Sequence, residues 1–453
     1  MNKYYQRFLS YFNNASLKGA TVNLLFGQAL LTAIFILFDA VITRFFSQEL
    51  FATWKQLQIL INLVLPLLAF GLPEGYKYYI AYEPEKSRQH SNFIFSFLLL
   101  ISGLVLLVSL TLGGIMVNAY FKNPLLTNAV FALALLFIGI TLNRILRYQL
   151  ITLNKTGLFL QGTFVAFVFA CFAIGALIFL QHFISDTYIV FCLALLVAIM
   201  YIIPNLFVRF FNKSQSFQFE FNGVELYRYL KIGFPLYLAS FMSVFMVNLD
   251  KTIVSKLASL TAFGIYAAGS FEIPIFSMLS ASFSQSTFPK YVALLKEGKK
   301  QEAIDLWIKI TFTVSRISYP VILVLMTFSH SLIHLIYTSK MDAAVPIFKT
   351  FLFMSLWRNN YYGSLISASG KTKWITIYNG MNVILLAGGC YLAYNWFGYT
   401  ALPWAILIAL TFINTVQLIH EGMYRQFILK FLIKPYILVF IALIIVAFIY
   451  SPL

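Results

Sequence analysis

Apolar runs long enough to cross a lipid bilayer recur along the whole chain, separated by short polar breaks. A spanning helix needs roughly 20 apolar residues, because the hydrocarbon core is about 30 Å thick. Inside it every backbone N–H and C=O must be bonded within the protein. A transmembrane barrel would alternate apolar and polar residues, and these runs do not. With 60% hydrophobic and 10% charged residues, the chain lacks the polar surface to cover a soluble domain. An all-α polytopic membrane protein is therefore expected. Its spans fall at 19–43, 54–80, 93–118, 125–150, 157–182, 188–211, 232–257, 263–290, 308–336, 344–368, 373–396, 402–424 and 435–451. The 48 Phe and 27 Tyr suit helices that pack in lipid and anchor at its interfaces.

The formal charge is +17. In a soluble protein this would suggest nucleic acid. Here an excess of Lys and Arg in cytoplasmic loops explains most of it, and no nucleic-acid partner is expected. With the N-terminus inside, the inner loops hold Lys86, Arg88, Lys155, Lys213, Arg228, Lys296, Lys299, Lys300, Lys371, Lys373, Arg425, Lys430 and Lys434. The outer loops hold little beyond Arg44, Lys122 and Lys340. This asymmetry sets a cytoplasmic N-terminus. Residues 1–18 show no signal-peptide pattern and read as an amphipathic cytoplasmic segment, with Lys3, Arg7 and Lys18 toward anionic lipid. Cys171, Cys192 and Cys390 all fall in apolar spans and read as core residues.

The chain divides as an N-lobe at 19–211, a cytoplasmic linker at 212–231, a C-lobe at 232–424 and an additional apolar segment at 435–451. The lobes resemble each other. When Asp39 is laid on Asp250 without a gap, an acid, a polar turn, the start of a second helix and an inner-end Lys or Tyr coincide. Each second helix carries a mid-helix proline, Pro66 and Pro274. Tyr148–Thr156 (YQLITLNKT) likewise lies beside Ser364–Thr372 (SLISASGKT). Two matches in the same order indicate a duplicated six-helix unit. Six is even, so both copies share one orientation. The expected architecture is two six-helix bundles related by a pseudo-two-fold along the membrane normal, with 12 core helices, an additional C-terminal segment and a cavity between the bundles.

Charged residues inside these spans are the functional candidates, since each costs about 2.5–3.5 kcal/mol at a helix centre. Asp39, Asp250, Lys251 and Lys256 fall in the outer half. Glu272 and Arg358 lie nearer the middle, and Arg316, Arg144, Arg147, Glu74 and Lys77 toward the inner side. Snorkelling to headgroups is an equally good account of Arg144, Arg147 and Lys77. Lys256 reads as interfacial, and Asp39 with Arg44 as a local ion pair. Glu272 and Arg358 are too deep to snorkel. Cations outnumber acids, which suits an anionic ligand such as a phosphate or diphosphate, and arginine matches phosphate oxygens best. Pro66, Pro73, Pro274, Pro320 and Pro346 are expected to break helical bonding and create bends.

No P-loop, no Gly-x-Ser-x-Gly and no paired loop carboxylates appear, so neither an enzyme nor a directly ATP-driven pump is expected. His330 and His334 share a helix face, but no neighbouring acid or Cys in sequence completes a metal site. No metal and no cofactor are expected.

Asn248–Ala303 carries Asp250-Lys251, Gly264-Ile265-Tyr266 and Phe288-Pro289-Lys290. With Ser16–Gln28 (SLKGATVNLLFGQ) and Ile366–Trp374 (ISASGKTKW), it resembles the polysaccharide-transporter branch of the multidrug/oligosaccharidyl-lipid/polysaccharide exporter superfamily, over Leu17 to Arg425. The resemblance implies a two-lobed flippase with a central cationic cavity. Such a protein moves lipid-linked oligosaccharide, usually on undecaprenyl diphosphate, across a bacterial inner membrane by alternating access, for surface polysaccharides such as O-antigen. A monomer suffices, with membrane lipids around it and a proton or sodium gradient driving it. Arg144, Arg147, Lys251, Arg316 and Arg358 are then expected to bind or track the diphosphate. Asp39, Asp250, Glu272 and Glu74 would balance charge or couple ions. The family has 12 or 14 helices, so segment 435–451 departs from its pattern. The alternatives are a cation-coupled multidrug antiporter of the same superfamily, which an acidic cavity would suit better, and a membrane glycan polymerase, for which the outer loops are short.

Overall fold

The computed structural model describes residues 17–65, 68–153, 155–211, 218–220, 222–271, 273, 276, 287–288, 290–358 and 362–450. Among them every regular element is helical. Glu272, Pro66, Pro274 and Pro289 lie outside the described residues, as does most of the amphipathic segment expected at 1–18. The chain forms two compact units, Met1–Phe245 and Met246–Leu453.

The first unit begins with α1 (Leu17–Phe45), turns at Ser47 and enters α2 (Gln48–Ile59), which passes into a π-helical turn at Leu60–Val64. The chain then turns at Phe70 and Gly71, both with positive φ, into α3 (Leu72–Tyr82). Next come α4 (Ser87–Val108), a second π turn at Ser109–Gly113, and α5 (Gly114–Phe121). Two 3₁₀ turns lead to α6 (Leu133–Thr152), followed by α7 (Thr156–Leu180) and α8 (Asp186–Phe211). α9 (Gly223–Leu257) is one unbroken helix of 35 residues, and the division between the units falls inside it.

The helices of the first unit approach closely where glycine removes the side chain. A Cβ on Gly139 of α6 would sit 2.8 Å from the Ala198 carbonyl of α8. One on Gly162 of α7 would sit 2.9 Å from Pro204 of α8, and one on Gly27 of α1 only 2.7 Å from the Phe159 ring of α7. Lipid gives no hydrophobic drive between helices, so close packing at small residues holds the bundle. α3 and the start of α9 also meet backbone to backbone: a Cβ on Gly75 would lie 2.7 Å from the Tyr229 carbonyl.

The second unit continues with α10 (Leu260–Gly269), α11 (Lys300–Thr327), α12 (Ser329–Tyr337) and α13 (Val345–Arg358). It ends with α14 (Ser364–Ala368), α15 (Thr372–Phe397), α16 (Leu402–Glu421), α17 (Tyr424–Leu432) and α18 (Pro435–Tyr450). Here α15 pairs with α16, α13 packs on α10, α11 and α16, and α18 lies along α11 and α13. Ring contacts Phe353–Phe448 and Trp404–Phe448 seat α18 on this unit. The segment expected at 435–451 is thus a packed helix that follows α17 through a bend of 80°.

The two matches seen between the halves correspond to matching local structure. After Asp39 and after Asp250 the helix runs on for a turn or two and stops. A serine then caps the next helix: Ser47 accepts from the Leu50 N–H at 3.1 Å, and Ser259 from the Ala262 N–H at 3.2 Å. Both second helices then leave α geometry, after Ile59 and after Gly269. In the second match, α7 and α15 each begin at a threonine after a lysine at the cap position, Lys155 and Lys371.

Among the described residues eight helices are long and apolar enough to cross a membrane, and outward-facing side chains such as Phe172 (78% exposed) and Phe210 (80%) are apolar. The chain is a multi-pass membrane protein. Fewer spans run unbroken than the pattern predicts, because several are split. The expected span 308–336 changes direction at Phe328 between α11 and α12, and 344–368 is split between α13 and α14. The prolines do not all act as expected. Pro204 and Pro320 lie inside helices, whereas Pro73 and Pro346 occupy first turns, where the missing N–H costs no helical bond.

Gly139→Val should destabilise the first unit by about 1–3 kcal/mol, the usual cost of overpacking. Gly103→Ala, where nothing lies within 4 Å, should be neutral or slightly stabilising. Denaturant unfolding in detergent micelles checks both.

Candidate functional site

The structure gathers the intramembrane charges of the first unit into two groups. At the end of α1 nearest the Ser47 turn, Asp39 is 3% exposed. Its Oδ1 accepts from Trp54 Nε1 at 2.8 Å and from Gln58 Nε2 at 3.3 Å. Its Oδ2 accepts from Lys55 Nζ at 2.5 Å. Arg44, the partner expected for Asp39, donates from Nη1 to the Ala40 carbonyl, 2.8 Å away, while Lys55 is the cation seen on the Asp39 carboxylate. Lys55 went unnoticed in the sequence among the polar residues of α2. The signal was available: it stands sixteen residues after Asp39, where the second half has Tyr266 sixteen after Asp250.

The second group draws on α1, α3 and α6. Arg144 Nη1 donates to Glu74 Oε1 at 3.2 Å. Arg147 Nη1 donates to Gln28 Oε1 at 2.5 Å. The Tyr148 ring lies under Lys77 Nζ at 5.5 Å and Arg147 at 5.9 Å. Glu74 begins α3 after the left-handed Gly71, where the positive end of the helix dipole favours an acid. Its other oxygen, Oε2, is buried with no hydrogen-bond partner among the described residues. Of these cations Arg144 is the one paired with Glu74, and it keeps about a third of its side chain exposed. Gln28 and Asp39 are eleven residues apart on α1, about 16 Å along the axis, so the two groups are distinct.

In the second unit Asp250, 3% exposed, accepts from the Tyr266 hydroxyl at 2.6 Å. Lys251, the next residue, is half-buried. Arg316 stacks over the Tyr436 ring of α18 at 5.2 Å, and Arg358 ends α13 half-buried. The same helix carries Lys349, which is 4% exposed and which sequence reasoning missed as one lysine in an apolar run. Between α12 and α13 a 3₁₀ turn brings Asp342 within 3.8 Å of both His330 and His334. The histidines therefore do have an acid beside them, contrary to the sequence reading. Among the described residues no group of His, Cys, Asp and Glu has the arrangement to hold a metal ion.

A further cluster ties the start of α9 to the helices before it. Arg228 bonds Glu83 and stacks on the Tyr79 ring at 4.3 Å. Lys86 lies 3.0 Å from Glu83. Tyr229, fully buried, shares a 2.6 Å hydrogen bond with His90 Nδ1. Glu220, in the inter-helix segment, accepts from Asn92 and donates its N–H to Ser96 of α4. The Arg228 guanidinium holds the Glu83 carboxyl below the usual carboxylate range, helped by Lys86. In sequence, Glu83 and Arg228 were only loop charges.

This fold is shared with solved helical membrane proteins. Over 95% of this chain and 97% of the other, the lipid II flippase MurJ, in an inward closed conformation, superposes with a TM-score of 0.65 at 15% identity. An inward-facing multidrug resistance MATE family transporter of the MOP superfamily matches 89% of this chain and 97% of its own, with a TM-score of 0.62 at 15% identity. No curated protein matches in sequence. The chain belongs to the polysaccharide biosynthesis protein family, whose pattern matches residues 41–346, more than half of its length.

Asp39→Asn should cost about 3–5 kcal/mol, because it removes the carboxylate that pairs with the buried Lys55. Asp39→Asn with Lys55→Met should recover most of that loss, as denaturant titration of the three proteins will reveal. Glu83 titrates lower in the folded protein than in the unfolded chain. Its pairing therefore stabilises above the ordinary carboxylate range and is lost as pH falls through the depressed value. Thermal melts should separate Glu83→Gln from the parent at neutral pH and bring them together in acid.

Proposed function

We propose that this protein is a flippase that moves a lipid-linked oligosaccharide, carried on a polyprenyl diphosphate such as undecaprenyl diphosphate, across a bacterial inner membrane for surface polysaccharide synthesis. The observation that carries this reading is the group formed by Arg144, Arg147, Lys77, Tyr148 and Glu74. Cations in excess at the ends of apolar helices suit a diphosphate on a lipid tail. Arg144 is held on one side by Glu74 and open on the other, so a guanidinium edge remains for phosphate oxygens. Family membership supports a polysaccharide substrate. The fold shared with a lipid II flippase supports a lipid-linked one.

Arg144 and Arg147 would bind the diphosphate, while Glu74 positions Arg144 and offsets part of its charge. In the second unit Lys251, Arg316 and Arg358 would continue the cationic path. Asp39, Asp250 and Glu272 would balance charge or couple a proton or sodium gradient. The protein works without ATP in this reading, because the chain carries no phosphate-binding loop.

The fold is shared equally with multidrug exporters, which gives a second reading, a cation antiporter. The charge balance favours the flippase: a group with more cations than acids suits an anionic ligand better than a cationic drug.

In proteoliposomes, Arg144→Ala and Arg147→Ala should each slow translocation of a polyprenyl-diphosphate glycan by about tenfold or more. A charge-assisted hydrogen bond is worth about 1.5–3 kcal/mol. Unchanged rates in both would remove the assignment. Extrusion of a cationic dye by energised vesicles, with no glycan translocation, would install the antiporter in its place.

A further inference from the structure

We propose that Glu421, the last residue of α16, is a proton-binding site of the second unit. Glu421 is 5% exposed. Its Oε1 accepts the Ile366 N–H of α14 at 3.0 Å. Its Oε2 is buried and has no hydrogen-bond partner among the described residues. An ionised carboxylate with a bare oxygen away from water is costly, and a proton removes that cost. Protonation turns the carboxylate into a neutral acid, which is buried at lower cost than the anion.

The backbone N–H groups of Ile366 and Leu365 favour the charged form, but burial outweighs them. Glu421 stands at the C-terminal end of α16, where the helix dipole is negative and disfavours an anion. Lys300, at the start of α11, is the cation within electrostatic reach. Its Nζ lies 3.8 Å from where a Cβ on Gly422 would be, and it makes no bond to Oε2. The other titratable groups facing Glu421 are Tyr291 and Tyr378. Beside it on α16, His420 is bonded to the Tyr378 hydroxyl and capped by Trp374, with ring centroids 4.6 Å apart. Gln417, one turn earlier, is turned toward Gly363, its Oε1 3.3 Å from where a Cβ there would be.

A purely structural contact to Ile366 would not need an acid. Glutamine in place of Glu421 would accept the same N–H and add a donor. What glutamate adds is the capacity to gain and lose a proton. The exchange occurs at the end of α16 that leads into the basic stretch Arg425–Lys434. The inference deepens the ion-coupling part of the proposed function by naming the proton and its seat. It assumes nothing about the transported lipid.

The test uses the full chain in lipid nanodiscs and a hydrophobic carbodiimide, which adds to buried protonated carboxyls. Mass spectrometry should find the adduct on Glu421 in the parent protein. Its yield should fall about tenfold per pH unit above the midpoint, as the acid form disappears. Infrared pH-difference spectra should show a carboxylic C=O band that is lost in Glu421→Gln and shifted in Glu421→Asp. No adduct at any pH, or identical difference spectra for the parent and Glu421→Gln, would overturn the proposal. Either failure leaves glycan translocation by the parent intact, so it is separable from failure of the flippase reading.

Discussion

Lipid does not solvate polar groups, and each feature of this structure answers to that. Backbone bonds stay inside helices, and helices meet where glycine lets them touch. Asp39 receives three donors in the first unit, and Asp250 accepts the Tyr266 hydroxyl in the second. The answer is incomplete at several buried oxygens, those of Glu74 and Glu421 among them.

The fold was largely legible in the sequence, because twenty-residue apolar runs permit only helices in a bilayer and lysines and arginines mark the loops. Its breaks were less legible. Pro66 marks a break near Leu60–Val64 without indicating a π turn, and the break at Phe328 has no proline or glycine beside it. Such bends are set by what the helix packs against, and a linear pattern of hydropathy carries no record of its neighbours.

The candidate site was legible as a roster of charges and illegible as a set of partners. Arg144, Arg147 and Glu74 stood out because apolar helices seldom carry charge. That Glu74 faces Arg144 across seventy residues is a matter of helix packing. Asp39 illustrates the limit well: sequence proximity suggested Arg44, but Arg44 has its own carbonyl within reach, and Lys55 on the next helix is the buried cation. Glu421 escaped because a carboxylate at a helix end looks like an interfacial residue until its burial is known.

The shared helix α9 has a consequence for how this chain can be divided. Its first turns are tied to α3 and α4 through Gly75, Tyr229 and Arg228, while from Met246 onward it belongs to the second unit. A protease cutting before Gly223 would release the second unit still carrying a helix that the first needs to cover Tyr79 and His90. A genetic split at Phe245 would sever consecutive rungs of helical hydrogen bonding. The ribosome must therefore deliver α9 through Tyr229 before the first unit can cover Tyr79 and His90.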